Sequence, residues 1–273
     1  MNVAIIGCGY VGKTIAQYWR QELGFTVTAT TTSPERISEL EAVGQRVVLT
    51  KGDDLAGLQS VLENQDTVLL SIGAKNADVY EETYLKTAHS LVSALKQTPS
   101  VRQLIYTGSY AVYGDKNGEW VDEESPVTPA NQNGRILCDT EQILLSASTE
   151  KLGVCILRLG GIHGPGRELS KIFSRVVGTT RPGNGEDPTN WIHLNDIVAA
   201  IEFARKHQLQ GIYNLVDDAH LTYRELLERV CNQNNLPKVS WDESQKSVRP
   251  YNARVSTQKL KAAGFQLSHP ETI

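Results

Sequence analysis

Short apolar runs alternate with amphipathic stretches along most of the chain. Val3–Ile6 is an apolar run that stops at a glycine turn, the pattern of a buried parallel strand. Val11–Leu23 repeats its apolar residues at helical spacing and meets a stop at Gly24. Phe25–Thr30 is rich in β-branched residues and reads as a second strand. Ser33 then stands at a helix N-cap, Pro34 at the first helical position and Gly44 at the end. Arg46–Leu49 and Thr67–Ile72 read as the third and fourth strands, and Tyr80–Lys96 as a long helix bounded by Pro99. Leu104–Thr107 and Val154–Leu159 read as the fifth and sixth strands. This alternation predicts an α/β fold, a doubly wound parallel sheet with helices on both faces. Two polar segments, Asp115–Gly134 and Arg181–Asn190, break the rhythm and read either as functional loops or as surface crossings.

Composition narrows the classes. With 273 residues, 40% of them hydrophobic and 21% charged, the chain suffices for one large α/β domain with an appendage, or for two modest domains. The net charge of −4 and the lack of a Lys/Arg block argue against nucleic acid and anionic membranes as partners. No apolar run approaches the roughly 18 residues of a spanning helix. Ala4–Cys8 faintly resembles a lipoprotein cleavage box, but it lies too near the start and lacks a basic segment before it. The cysteines, Cys8, Cys138, Cys155 and Cys231, are widely spaced with no CxxC. That spacing predicts neither a metal site nor a disulfide framework, and it suits reduced thiols in the cytoplasm.

Gly7-Cys8-Gly9-Tyr10-Val11-Gly12 is a G-x-G-x-x-G segment between the first strand and the first helix. Gly7 suits the tight turn, Gly9 the close approach of a pyrophosphate, and Gly12 the packing of helix on strand. The helix start presents unpaired N–H groups and a partial positive charge to phosphates. In this context the segment predicts a Rossmann domain binding a nicotinamide dinucleotide, with Cys8, Tyr10 and Val11 included in the binding turn. The second strand ends in Thr30 and Thr31 rather than in an acid, and Arg36 follows. Hydroxyls followed by arginine suit a 2′-phosphate, which favours NADP over NAD, although Arg36 also reads as a solvated helix residue.

Later landmarks resemble the short-chain dehydrogenase/reductase superfamily, in its extended or atypical branch of epimerase/dehydratase-like proteins. They are Gly52-Asp53, Ser71-Ile72-Gly73-Ala74, Thr107–Gly114, Arg158–Arg167, Trp191–Ile197 and Gly211–Leu215. The resemblance implies about seven parallel strands and a small C-terminal substrate-side lobe. It places Asp53 at the adenine, and Ser71 and Gly73 beside the cofactor ribose. It also implies a small-molecule substrate. The expected division is a dinucleotide-binding domain over 1–165 and a mixed region over 166–273 that partly returns to the sheet. His193 and Asp196 are expected to order a loop, Asn214 to satisfy backbone groups and Arg158 to anchor a loop.

The superfamily's chemistry uses a Tyr-x-x-x-Lys pair on one helix, where the ammonium lowers the phenol pKa for proton transfer. Ser109 matches the serine that holds the reacting oxygen. The expected tyrosine position holds Asn133 and the lysine position holds Leu137, and neither transfers a proton. Tyr110, Tyr113, Arg135 and His163 are the alternative polar candidates. Ser109, Tyr113 and Asn133 are carried as the catalytic candidates, with no metal. Two readings follow: an oxidoreductase or epimerase-like enzyme with an altered site, or a non-catalytic NADP(H)-binding redox sensor or interaction module.

Overall fold

The computed structural model describes residues 1–273. Contacts group these residues into two compact units. The first unit holds residues 1–109, 132–158 and 198–213, and the second holds 110–131, 159–197 and 214–273. The grouping is therefore discontinuous, with boundaries near residues 109, 131, 158, 197 and 213 rather than at 165. Segments that read as loops or as late sequence return to strands and helices laid down earlier.

The central sheet has seven strands. Five come first in the chain: β1 (Asn2–Ile6), β2 (Thr26–Thr31), β3 (Arg46–Leu49), β4 (Thr67–Leu70) and β5 (Gln103–Ser109). The spatial order is Gly211–Leu215, Gly153–Leu159, β5, β4, β1, β2, β3. The pairings of β1 with β2 and β4, of β2 with β3, and of β4 with β5 are parallel. The order reverses between β2 and β4 around β1, which makes the C-terminal ends of β1 and β4 the switch point where ligands enter such sheets. Val3, Ala4 and Ile5 are fully buried, as expected for a strand covered on both faces.

Helix α1 (Tyr10–Gln21) buries Val11, Ile15, Ala16 and Trp19. The Trp19 indole donates to Glu202 Oε2 at 2.8 Å, and Arg205 closes on the same carboxylate. Ser33 stands at the N-cap of a short 3₁₀ turn, Pro34–Arg36, but its side chain makes no capping bond. Helix α2 (Ile37–Glu41) continues that turn, and Gly44 N–H donates to Leu40 O. Helix α3 (Leu55–Leu62) starts at Asp54, whose carboxylate accepts from Gly57 N. The expected helix Tyr80–Lys96 is less uniform, with a π-helical segment at Glu81–Lys86 followed by α4 (Thr87–Leu95). Such widened turns often occur at functional sites. Helix α5 (Gln132–Leu145) packs Leu144 into a core shared with Leu91, Leu104, Tyr106 and Ile156.

The second unit is built on three short parallel pairs. Gly161–His163 pairs with Trp191–His193, Thr180–Pro182 with Ser240–Asp242, and Trp120–Val121 with Arg254–Val255. Helix Tyr223–Gln233 begins with a capping box between Thr222 and Glu225. It buries Leu226, Leu227 and Val230 against Leu169, Phe173 and Leu221. No helix is long and apolar enough to cross a membrane.

Candidate active site

The glycine turn between β1 and α1 is fixed by contacts on its protein side and open on the other. Gly7 has φ +84°, and a Cβ there would lie 2.6 Å from Ser71 O. A Cβ on Gly12 would lie 2.7 Å from Gly7 O, so only glycine allows α1 to start this close to β1. Gly9 differs, because a Cβ there would meet nothing within 4 Å. Gly9 caps α1 without a side-chain bond. Thr30 braces the turn through Oγ1, which accepts from Gly7 N at 3.0 Å, and through its carbonyl, which accepts from Cys8 N.

The turn forms one wall of a cavity of about 430 Å³ in the first unit. Of the cofactor residues expected from sequence, Gly7, Cys8, Gly9, Thr30, Thr31, Arg36, Asp53, Ser71 and Gly73 line this cavity together. Tyr10, Val11 and Gly12 are not among the lining residues. Val11 and Gly12 are instead buried by α1 packing. Arg36 Nη1 donates to Cys8 O at 2.9 Å, and its Nε donates to Glu39. Arg36 is thus a bound part of the turn and not a freely solvated helix residue.

Sequence reasoning missed Lys51, Lys75, Thr83 and Thr87 on the cavity wall. The two threonines come from the π-helical segment and the start of α4. Thr87 packs so closely on Gly52 that a Cβ there would lie 1.9 Å from its Oγ1. A G-D dipeptide carries that close approach, but nothing in sequence names the threonine facing it. Cys8 is buried, and burial pushes its thiol up to about 12, so it stays protonated and unreactive at neutral pH.

Ser109 ends β5 and is half-buried. Asn133 stands in the first turn of α5, also half-buried, while Arg135 is exposed and Leu137 is buried. The helix is anchored deeper by Glu141, which accepts from Arg158 Nε and Nη2, the latter at 2.7 Å. Both side chains are about 95% buried. Arg158 therefore anchors a helix, where sequence pointed to a loop. Burial lifts the Glu141 carboxyl above its ordinary range against the opposing pull of Arg158.

Residues 3–215 match the model of the NAD dependent epimerase/dehydratase family. The chain belongs to that family. It is 32% identical over 229 residues to Protein YeeZ of Escherichia coli K12, covering 80% of this chain and 78% of that protein. The fold is similar to dTDP-glucose 4,6-dehydratase from Bacillus anthracis in complex with NAD, with TM-score 0.80, 17% identity and coverage of 98% and 92% of the two chains. It is similar also to Thermus thermophilus UDP-glucose 4-epimerase in complex with NAD, with TM-score 0.79, 20% identity and coverage of 98% and 94%.

The remaining candidates of this family member lie in the second unit. Tyr113, a candidate proton donor, has its hydroxyl turned to internal partners. It is fully buried, with its hydroxyl 2.8 Å from Asp122 O and 2.9 Å from Asn214 Oδ1. That phenol joins an internal network, since Asn214 Nδ2 donates to Ser256 O and Thr257 Oγ1 donates to Asn214 O. Tyr110 is largely enclosed, and Asn190 and Arg249 hydrogen-bond its side chain. Burial raises its pKa despite the nearby guanidinium, so the phenol stays protonated at neutral pH. His163 is buried, and its Nε2 has no protein partner. Burial, then His193 and His269, lower it to about 4, so it is neutral at physiological pH. His193 Nδ1 accepts from Asn195 N, and Asp196 accepts from Ser268 and His269. His193 thus orders the start of the following helix, while Asp196 ties down a distant segment.

Proposed function

We propose that this family member binds NADP in preference to NAD and acts on a small-molecule substrate without the Tyr-x-x-x-Lys proton relay. One observation carries the cofactor reading: of the three turn glycines, Gly7 and Gly12 are closed by backbone while Gly9 faces open space, on a cavity rimmed by Arg36. The turn and the start of α1 would hold the pyrophosphate. Asp53 would face the adenine, and Ser71 and Gly73 the ribose. Thr30, Thr31 and Arg36 would favour the 2′-phosphate. Thr30 acts by bracing the turn, because its hydroxyl already accepts from Gly7. When bound, the nicotinamide would supply hydride exchange.

Ser109 and Asn133 would orient a substrate oxygen by hydrogen bonding. Asn133 cannot serve as an acid near neutrality, and Leu137 offers no cation to depress a neighbouring phenol. Tyr110, next to Ser109 in the chain, is the phenol left as a proton donor to test, given the enclosed hydroxyl of Tyr113. The missing pair also favours a second reading, a non-catalytic NADP(H)-binding redox sensor or interaction module. A cytoplasmic setting suits the four buried cysteines, none of which is in a disulfide.

Calorimetric titration with NADPH and NADH tests the cofactor. A charge-assisted contact to the 2′-phosphate is worth about 1.5–3 kcal/mol, or roughly ten- to hundredfold in affinity. Arg36→Ala is expected to remove that preference, and equal affinity of the wild type for both dinucleotides would overturn it. Nicotinamide absorbance against a panel of carbonyl compounds and nucleotide sugars separates the two readings of function. Turnover lost in Tyr110→Phe but kept in Tyr113→Phe supports the enzyme, whereas tight NADPH binding with no turnover across the panel supports the sensor.

A further inference from the structure

Glu39 lies in α2, and neither it nor Lys13 lines the dinucleotide cavity, but Glu39 joins Lys13 to Arg36, which does. Its Oε1 accepts from Lys13 Nζ at 2.6 Å and its Oε2 from Arg36 Nε at 3.1 Å. We propose that Lys13 is a second cation of the 2′-phosphate site and that Glu39 is its exchangeable counter-ion, displaced when the phosphate binds. This inference rests on the NADP reading above.

Five features support the exchange. A phosphate presents its oxygens at nearly the spacing of a carboxylate, so it can take both donors that Glu39 now holds. Arg36 keeps its place when Glu39 leaves, because Nη1 is tied to Cys8 O at 2.9 Å in the glycine turn. Lys13 has no such second tie: its polar partner is Glu39, and its flexible stem lets the ammonium follow the stronger anion. Displacement is cheap, since the Lys13 and Glu39 side chains are 40% and 42% exposed and exposed ion pairs contribute little to stability. Lys13 and Arg36 hold the Glu39 carboxyl below its ordinary range, so it is ionised and screens both cations near neutrality. A dianionic phosphate outbids one carboxylate for the two cations. The 2′-hydroxyl of NAD cannot, and it leaves the Lys13–Glu39–Arg36 arrangement intact.

The test is calorimetric titration of the full chain with NADPH and with NADH, using wild type, Lys13→Met, Glu39→Gln and Arg36→Ala. Lys13→Met is expected to weaken NADPH about five- to tenfold and to leave NADH within about twofold. Glu39→Gln is expected to strengthen NADPH about threefold with NADH unchanged. Unchanged NADPH affinity in Lys13→Met overturns the proposal, as does equal weakening of both dinucleotides. Weaker NADPH binding by Glu39→Gln also overturns it, because that makes Glu39 a brace for the cations rather than their exchangeable partner. Should Lys13→Met fail to fold, Lys13→Gln reads the same loss of charge. If wild type and Arg36→Ala bind NADPH and NADH alike, the NADP reading itself fails. If Arg36→Ala discriminates and Lys13→Met does not, only the second cation falls.

Discussion

The glycine turn and helix α5 belong to the same compact unit and meet different demands. In the turn, main-chain contacts exclude a side chain at Gly7 and Gly12, while Gly9 is bare toward the cavity. In α5 the supporting frame is present: Glu141 is locked to Arg158, and Leu144 is in the core. In the proposed reading, Asn133 and Leu137 stand where the family's proton-transferring pair would be. Binding a dinucleotide depends on backbone geometry that the fold itself maintains. Proton transfer depends on two side chains that the fold does not require. The two capacities are therefore separable in this architecture, and each can be perturbed alone.

The largest effect is expected at the anchor of α5. Glu141→Ala removes the carboxylate that faces the buried Arg158, which should cost about 3–5 kcal/mol in urea unfolding. A loss below about 1 kcal/mol would show that the frame of α5 does not depend on this pair. Restoring half of the missing relay comes next. Leu137→Lys places an ammonium where the native side chain is 4% exposed, at an expected cost of about 2–4 kcal/mol near neutrality. Its folded pKa is depressed, so above that value the folded state binds fewer protons than the unfolded state. The variant should therefore gain stability as pH rises toward about 10.4, the lysine's unfolded value. Wild-type stability in Leu137→Lys would mean that this face of the helix still accommodates a catalytic cation, and the contrast with the turn would collapse.

Gly9→Val probes the other region. Its Cβ has open space in the protein, so the melting temperature should stay near wild type while NADPH affinity falls by about ten- to hundredfold. Parallel loss of stability and binding would mean that Gly9 is needed for the fold rather than for a ligand. The smallest effect concerns Cys8. With its thiol pushed up to about 12, Cys8 should resist iodoacetamide in the folded protein near neutrality and react after unfolding in urea. Rapid labelling of the native protein, located by peptide mass, would show that the turn opens in solution.

Much of the sheet was legible because its strands are locally encoded. Arg46–Leu49 has the same bounds in sequence and structure, and the other expected strands lie within two residues at each end. The cavity was partly legible for the same reason, since glycine at Gly7 and Gly12 answers a steric demand between neighbours in sequence or in the sheet. The π-helical segment was not legible, because its helical spacing resembles that of an ordinary helix until its widened turn is seen. Nor were the different partners of two nearby tyrosines, Asn190 and Arg249 for Tyr110 and Asn214 for Tyr113.

The sequence by itself determined the alternating strands and helices, the glycine turn, and the absence of tyrosine and lysine at positions 133 and 137. Those features depend on residue identity, local periodicity and steric size. Only the tertiary structure decided that Arg36 is fixed between Cys8 and Glu39, that Arg158 anchors α5, and that Tyr113 has its hydroxyl enclosed. A charge or a hydroxyl takes its role from the partner it meets and the water it loses, and in these cases the partners come from residues distant in sequence or from adjoining secondary-structure elements.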